Sequence, residues 1–201
     1  RRYGLNAIKF FPNTYLSNGL VFQKLAKGTY YRPEKISNLK QNLLTNISKV
    51  VKKLSSVKKS EIKVSNYIKK LKSLKPIDKL NSKIINDFIL ILKENKSDKI
   101  QLSLTHGDFK FEHLFISNNQ LEYLVDWENV GLRVIFFDLM NFFIPWFVHR
   151  SYNYIQIKNF LLKYIKVFLP NMSRLIQDKY DLYFAIFAIE RYLRKKKKKN
   201  L

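Results

Sequence analysis

Residue types that do chemistry are concentrated in one stretch of the chain. Thr105 to His113 reads THGDFKFEH and contains two of the three histidines, and Asp126-Trp127-Glu128 follows it. His106-Gly107-Asp108 comes directly after an apolar run that is typical of a strand. A loop in this position can expose a carboxylate on a rigid base, so Asp108 is a candidate for chemistry.

The spacing between Asp108 and Asp126 predicts that their carboxylates lie close together. Leu114 to Ser117 and Glu122 to Val125 are strand-like, and Asn118-Asn119 between them is a favourable tight-turn pair. The resulting hairpin would fold Asp126 back beside Asp108, 18 residues earlier. Two carboxylates brought together suit one task each: one accepts a proton from an attacking hydroxyl, and the other holds a divalent cation.

The elements that must position these residues follow an α+β order, with strands, helices, a small cluster of strands and then helices again. Apolar residues at three- and four-residue intervals predict a long helix after Pro33, and further helices opening at Ser60-Glu61 and at Pro76. The predicted strands are Ala7 to Phe11, Leu20 to Leu25, Gln101 to Leu104 and the hairpin strands. The predicted C-terminal helices are Val134 to Val148, Tyr152 to Phe168 and Asp178 to about Arg194.

Composition excludes several classes of protein. The 201 residues include 38 Lys and Arg against 15 Asp and Glu, a formal charge of +23, and no cysteine. Disulfide scaffolds, thiolate zinc sites and catalytic thiols are therefore excluded. The most apolar run, Val134 to Val148, is too short to span a bilayer. The chain begins without an apolar signal region, and we expect a cytoplasmic protein.

The basic charge alone does not predict nucleic-acid binding. Lysines outnumber arginines 30 to 8, whereas specific phosphate and base recognition favours the planar arginine fork. Six positive charges fall in Arg194 to Lys199, where a like-charged run is usually a solvated tail. Contact of this tail with nucleic acid or an anionic membrane is a less favoured alternative.

The segment from His106 to Leu139 resembles the catalytic segment of the aminoglycoside phosphotransferase and choline kinase family. In that family a His-Gly-Asp is followed after five residues by an Asn and, thirteen residues later, by a metal-binding Asp within Asp-Trp-Glu. Here the corresponding positions are Asp108, His113 and Asp126. The resemblance implies a protein-kinase-like fold, mainly its helical C-terminal lobe, with a remnant of the N-lobe sheet.

The resemblance also implies roles for individual residues. Asp108 would be the catalytic base, Asp126 with His113 would hold Mg²⁺, and His106 and Asp138 would support the catalytic loop. The backbone of Gln23, Lys24 and Leu25 would meet the adenine of ATP, the phosphoryl donor. The implied substrates are the nucleotide and a small molecule with a hydroxyl group, such as a sugar, aminoglycoside or amino alcohol.

The resemblance further implies a division of the chain. Residues 1–26 would be the remnant of the N-lobe sheet and hinge. Residues 27–193 would be the C-lobe, with the catalytic loop at 105–113 and the metal-binding segment at 125–128. Residues 194–201 would be the basic tail.

Two departures from the family pattern leave other functions open. His113 replaces the family's Asn, and Mg²⁺ prefers oxygen ligands to an imidazole nitrogen. The five glycines, Gly4, Gly19, Gly28, Gly107 and Gly131, form no Gly-rich phosphate loop, so most of the N-lobe would be missing. The alternatives are a catalytically impaired kinase-like nucleotide-binding module or truncated fragment, and a hydrolase whose transition metal is bound by His106, Asp108, His113 and Asp126.

Overall fold

A computed structural model of the chain describes residues 14–17, 20–23, 29–30, 41–57, 59–72, 83–118, 120–148, 151–168 and 170–198. The strands are β1 Thr14–Ser17, β2 Leu20–Gln23, β3 Thr29–Tyr30, β4 Lys59–Lys63, β5 Lys99–Thr105, β6 Leu114–Ser117, β7 Gln120–Leu124 and β8 Gly131–Val134. The helices are α1 Gln41–Val57, α2 Val64–Lys72, α3 Lys83–Glu94, α4 Phe137–Val148, α5 Tyr154–Phe168, α6 Ser173–Asp178 and α7 Tyr180–Lys198. This mixture confirms the predicted α+β class.

Strand β5 is the centre of the sheet that leads into the site. It pairs antiparallel with β4 on one side and β8 on the other. Its residues from Leu102 to Thr105 are all buried, as expected for a strand covered on both faces. Because β5 is fixed along its whole length, the residues that follow Thr105 leave from a rigid base.

The second sheet returns the chain towards the loop that follows β5. Strands β6 and β7 form an antiparallel hairpin in which Ser117 lies opposite Gln120, and β3 pairs with β6. Asn118 has a φ of 49°, a left-handed conformation that asparagine tolerates better than most residues. The hairpin brings Val125 and Asp126, which follow β7, back towards the residues that precede β6.

The helices enclose a core that is rich in aromatic side chains. Helix α4 is buried on most of its described surface, including Phe142 and Phe143, and α7 packs against α3 and α4. Within the described part of the chain, no helix combines the length and apolar character needed to cross a membrane.

The structure corrects two local predictions, at Ser60-Glu61 and at the start of α4, and adds a strand, β1, that was not predicted. Ser60-Glu61 lies in β4, not in a helix, because Ser60 and Ile62 alternate with exposed neighbours and pair with β5. The partner of β2 is β1, Thr14–Ser17, which pairs with it across the two residues Asn18-Gly19; the predicted strand at 7–11 lies outside the described residues. Val134 ends β8, so α4 begins later, at Phe137.

Helix α7 also extends farther than the predicted helix. It runs to Lys198 and therefore includes most of the basic run that was expected to be a solvated tail. Arg194 lies within this helix and forms an ion pair with Glu190, one turn earlier.

Candidate active site

The loop that carries Asp108 is attached to helix α4 through one buried carboxylate. Asp138, in the first turn of α4, accepts a hydrogen bond from the His106 backbone N–H at 2.7 Å and another from the Gly107 N–H at 2.9 Å. Burial raises the pKa of Asp138 to about 6, although the two N–H groups and Arg133 act in the opposite direction. These bonds satisfy the backbone donors at the point where β5 ends.

The ring of His106 connects the loop to the end of the hairpin. It is fully buried, and its Nε2–H donates to the Val125 carbonyl at 2.8 Å, since a carbonyl can only accept. Nδ1 then accepts the Asp108 backbone N–H at 3.3 Å. Desolvation lowers the pKa of His106 to about 4, so the ring is neutral at pH 7 and holds Asp108 and Asp126 near each other through their backbones.

Gly107 is required by its conformation and its surroundings. Its φ is +84°, and a Cβ at this position would lie 2.3 Å from the Asn129 carbonyl oxygen and 2.5 Å from Nη1 of Arg133. Those distances are far inside van der Waals contact, and L residues seldom adopt this φ. The close approach lets the Arg133 guanidinium lie directly behind the loop.

Arg133 and Glu190 form a buried network that sequence reasoning missed. Arg133 donates through Nε to Glu190 Oε1 at 2.9 Å, through Nη1 to Thr105 Oγ1 at 2.8 Å and through Nη2 to the Asn129 carbonyl at 2.8 Å. Glu190 also accepts from Arg194 and from the Tyr67 hydroxyl. The network joins β5, β8, α2 and α7 beneath the loop. No spacing in the sequence indicates it, because its members lie far apart along the chain.

Asp108 itself lies at the surface of this framework. Its side chain is 22% exposed, and the Lys110 Nζ lies 3.0 Å from its Oδ2. The next residue, Phe109, is fully buried, and its carbonyl accepts a hydrogen bond from the Asn141 side chain of α4 at 3.1 Å. Because Phe109 and His106 are both buried, the Asp108 carboxylate between them is directed outwards.

The structure brings His113 and Asp126 to Asp108. His113 Nδ1 lies 2.8 Å from the Asp108 carbonyl oxygen and therefore donates to it, and Nε2 lies 3.1 Å from Asp126 Oδ2. Asp126 has left-handed backbone angles, φ 63° and ψ 55°, and is exposed. One ligand atom each from Asp108, His113 and Asp126 lie within 4.8 Å of one another.

This donor set fits a divalent cation. With Nδ1 donating to a backbone carbonyl, Nε2 faces Asp126 and is the nitrogen that would bind a cation, which is the usual arrangement of a metal-ligating histidine. Two ligands about 2.1 Å from a metal and at right angles lie about 3 Å apart, close to the observed separation. An imidazole with two carboxylates suits Mn²⁺ or another transition metal better than Mg²⁺.

The other residues that were candidates for the site do not join the group of Asp108, His113 and Asp126. Gln23 ends β2, while Lys24 and Leu25 fall outside the described residues. His106, which was a candidate ligand in the hydrolase hypothesis, does not join the group of Asp108, His113 and Asp126: both its ring nitrogens are hydrogen-bonded to the backbone. Glu128 is exposed and accepts a hydrogen bond from the Asn129 side chain.

A cavity of about 250 Å³ opens beside Asp108. Its wall is formed by Gly107, Asp108 and Lys110 of the loop, Asn141 of α4, and Arg191 and Arg194 of α7, among others. Burial lowers the pKa of Arg191, and the charge of Asp108 acts in the opposite direction. Neither arginine was a candidate from the sequence, since only the three-dimensional packing of α7 brings them to the loop.

Comparisons with known proteins find a family model that matches part of the chain and solved structures that share its fold. Residues 68–165 match the family model described as the phosphotransferase enzyme family. Among curated proteins, no sequence matches the chain.

Several solved structures share the fold. A thermostable mutant of aminoglycoside phosphotransferase APH(4)-Ia has 14% identity and a TM-score of 0.50, with 96% of this chain and 80% of that chain covered. ADP-bound APH(2'')-Ib has 17% identity and a TM-score of 0.53, over 92% of this chain and 71% of that one. A similar Ralstonia eutropha protein has 10% identity and a TM-score of 0.53, over 95% and 68%. The protein-kinase-like fold that the resemblance implied is confirmed.

Proposed function

We propose that the chain is an ATP-dependent phosphotransferase acting on a hydroxyl of a small molecule, on the premise that residues 68–165 match the model of the phosphotransferase enzyme family. The observation that carries the proposal is the group formed by Asp108, His113 and Asp126, whose ligand atoms lie within 4.8 Å. Phosphoryl transfer needs an oriented hydroxyl beside a metal-bridged phosphate, and this group offers a residue for each.

In this proposal Asp108 orients the acceptor. Its carboxylate accepts the proton of the substrate hydroxyl while the hydroxyl oxygen bonds to the γ-phosphorus and ADP departs. Asp138 and His106 are positioning residues, since they accept hydrogen bonds from the backbone N–H groups of residues 106 to 108 without meeting the substrate. Their bonds keep the carboxylate within a small volume before the substrate arrives, which is how positioning lowers the barrier.

Asp126 and His113 would hold the divalent cation. When bound, the cation neutralises charge on the transferring phosphoryl group and the leaving phosphates. His113 fixes its own ring through the bond to the Asp108 carbonyl, so the position of the metal site is coupled to that of the catalytic loop. Mg²⁺ was the expected cation, and the imidazole at 113 argues for Mn²⁺ as an efficient replacement.

For the nucleotide, we propose that the backbone from Gln23 to Leu25 meets the adenine. Related structures support a nucleotide as the donor: APH(4)-Ia was determined with ADP and hygromycin B, and APH(2'')-Ib with ADP. A cytoplasmic location follows from the proposal itself, because ATP is the substrate.

The test is ADP release with ATP and a panel of sugars, amino alcohols and aminoglycosides, in the presence of Mg²⁺ or Mn²⁺. We expect turnover with at least one acceptor and a loss of about 100-fold or more in kcat for Asp108→Asn. Asp87→Asn, at an exposed position of α3, is the matched control and should retain full activity. Equal turnover by the Asp108→Asn and Asp87→Asn variants would refute the role of Asp108.

A second candidate function is nucleotide binding without catalysis. It is favoured by one observation, that His113 stands where the family pattern has Asn. A rise in melting temperature with ATP and a divalent cation, combined with no turnover on any acceptor, would favour this candidate over the first.

A further inference from the structure

The cavity beside Asp108 has an excess of positive charge. Three basic side chains line it, Lys110, Arg191 and Arg194, against the single carboxylate of Asp108. Directly behind the wall, Glu190 is shared between Arg194 and Arg133. Asp138 also lies behind the wall, where it accepts the Gly107 N–H. Four cations therefore face three carboxylates, and 4 − 3 leaves one positive charge around a small, partly enclosed space.

Arg191 is the cation whose charge is least compensated. Lys110 lies 3.0 Å from Asp108 Oδ2, and Arg194 Nη2 lies 2.8 Å from Glu190 Oε1. Arg191 makes no hydrogen bond or ion pair with any residue in the part of the chain that the structure describes, and it is only partly exposed. Partial burial of an arginine without an ion-pair partner is costly, and an anion in the cavity would offset that cost.

We propose that the acceptor is an anion, a small hydroxyl compound that carries a carboxylate, phosphate or sulfate group. This inference rests on the proposed function. Arg191 binds the anionic group, Lys110 and Arg194 add favourable charge at the rim, and Asp108 meets the hydroxyl. The planar arginine fork matches the paired oxygens of a carboxylate or phosphate.

The position of the cavity assigns the anion to the acceptor and not to the nucleotide. Its described wall includes Asp108 but neither His113 nor Asp126, the residues that would hold the metal-bridged phosphates. The cavity lies between the catalytic loop and α7, so a compound inside it approaches Asp108 from a side different from that of the cation.

The size and charge of the cavity narrow the class of acceptor further. A volume of about 250 Å³ is at or below the lower limit of pockets that hold drug-sized molecules and suits a compound the size of one sugar ring. A polycationic aminoglycoside is larger and would meet Arg191 and Lys110 as like charges, which is unfavourable in a partly desolvated site. The related structure with hygromycin B therefore shares the fold with this chain but not, in this proposal, the acceptor chemistry.

The test compares matched pairs of compounds that differ only in the acidic group, such as glucuronate with glucose and galacturonate with galactose. Binding is measured by thermal shift and, where turnover occurs, by kcat and KM. We expect the acid of at least one pair to bind at least tenfold more tightly than its neutral twin. Kanamycin is included as the cationic comparison and should bind most weakly.

The variant that tests the site is Arg191→Gln, with Arg174→Gln as its control because Arg174 is an exposed arginine of α6. Loss of a hydrogen-bonded charge should weaken binding of the acid by about 10- to 100-fold and leave the neutral twin almost unchanged. In turnover, the change should be in KM for the acid, with kcat and the KM for ATP retained.

Three outcomes would overturn the inference: equal binding of acid and neutral twin, preference for kanamycin, or an Arg191→Gln effect on ATP instead of on the acid. The last would assign Arg191 to the nucleotide phosphates. Because the binding measurement needs no turnover, an inactive protein that binds the acid selectively would refute the proposed catalysis while supporting the anionic site. An active protein without charge selectivity would do the reverse.

Discussion

The two sides of the loop at Asp108 differ in how much freedom they retain. On the inner side, His106, Asp138, Arg133 and Glu190 are at most 4% exposed, and each is hydrogen-bonded. On the outer side, the side chains of Asp108, Asp126 and Lys110 are 22%, 34% and 39% exposed. Polar groups on the inner side are buried in hydrogen bonds that hold the loop. Those on the outer side also have partners, Lys110 with Asp108 and Asp126 with His113, but they are exposed enough to contact a ligand.

This difference indicates that the inner side stabilises the fold and the outer side binds ligands. A buried charge that loses its partner costs several kcal/mol, so a change on the inner side should reduce folding stability first and activity as a consequence. A change on the outer side should alter ligand binding with little effect on stability, because exposed charges contribute little to folding. Each of the following substitutions tests one side of the comparison.

The largest effect is expected for Glu190→Gln on the inner side. Glu190 is fully buried and is shared by Arg133 and Arg194, so the substitution leaves two guanidinium groups without a counter-charge. We expect the free energy of unfolding to fall by about 3–5 kcal/mol, measured by urea denaturation. Glu94→Gln, at the exposed end of α3, is the control and should change it by less than about 0.5 kcal/mol. Similar values for the two variants would mean that the buried network does not stabilise the fold.

The next largest effect is expected for Gly107→Ala. A methyl group there would lie 2.3 Å from the Asn129 carbonyl oxygen at a positive φ, so the loop must move or strain. We expect a loss of about 1–3 kcal/mol in the free energy of unfolding, and a lower kcat if the chain is active. Gly131→Ala is a close control, because its added Cβ would lie 3.6 Å from the nearest atom, an ordinary contact. Equal stability of the two variants would show that the loop is not fixed from behind.

The sequence predicted the outer side of this comparison better than the inner side. Spacing and turn chemistry led to the hairpin, and hence to the proximity of Asp108 and Asp126, because those signals are local. His113 was added to this pair by the family resemblance. Arg133, Glu190 and Arg191 could not be found in this way. Arg133 and Glu190 contact each other although they are 57 positions apart. For Arg191, the local sequence of a helix is the same whether the arginine faces water or a cavity.

The same limit explains the error at Ser60-Glu61. Locally, this pair resembles the first turn of a helix. Pairing with β5 determines the conformation instead, with Glu61 bonded across the strands to the Gln101 side chain and to Lys99. Such cross-strand contacts are tertiary, and they override local propensity.

The third prediction concerns pH and again tests the inner side. Burial raises the pKa of Asp138 from 3.8 to about 6, so between these values the folded chain binds more protons at this carboxyl than the unfolded chain does. Asp138 therefore makes stability fall as pH rises from about 4 to 6, by up to about 1.4 kcal/mol per pH unit. His106, whose pKa burial lowers to about 4, acts in the opposite sense over a similar range. The two contributions partly cancel in the unaltered protein.

Asp138→Asn removes one of these opposed contributions. We expect the variant to be less stable at every pH, because an amide cannot accept both backbone N–H groups. Between pH 4 and 6 its free energy of unfolding should rise with pH more steeply than that of the unaltered protein. Urea denaturation at half-unit pH intervals measures the difference in slope. Parallel curves would show that Asp138 does not titrate in this range.

The smallest effect is expected on the outer side, for His113→Asn. The His113 Nε2 faces Asp126 at 3.1 Å while Nδ1 is held by the Asp108 carbonyl, so in the proposed site this nitrogen would bind the same cation as Asp126. We expect the unaltered chain to bind Mn²⁺ in preference to Mg²⁺, and the variant to shift the ratio of the two dissociation constants towards Mg²⁺ by about tenfold, since asparagine supplies the oxygen that Mg²⁺ favours. Mn²⁺ titration followed by electron paramagnetic resonance, with Mg²⁺ as competitor, measures that ratio without turnover. Because His113 is buried and hydrogen-bonded to the Asp108 carbonyl, the free energy of unfolding without metal should fall by about 1 kcal/mol, less than for the changes on the inner side. A large loss of stability with an unchanged metal ratio would assign His113 to the inner framework and reverse the comparison at this residue.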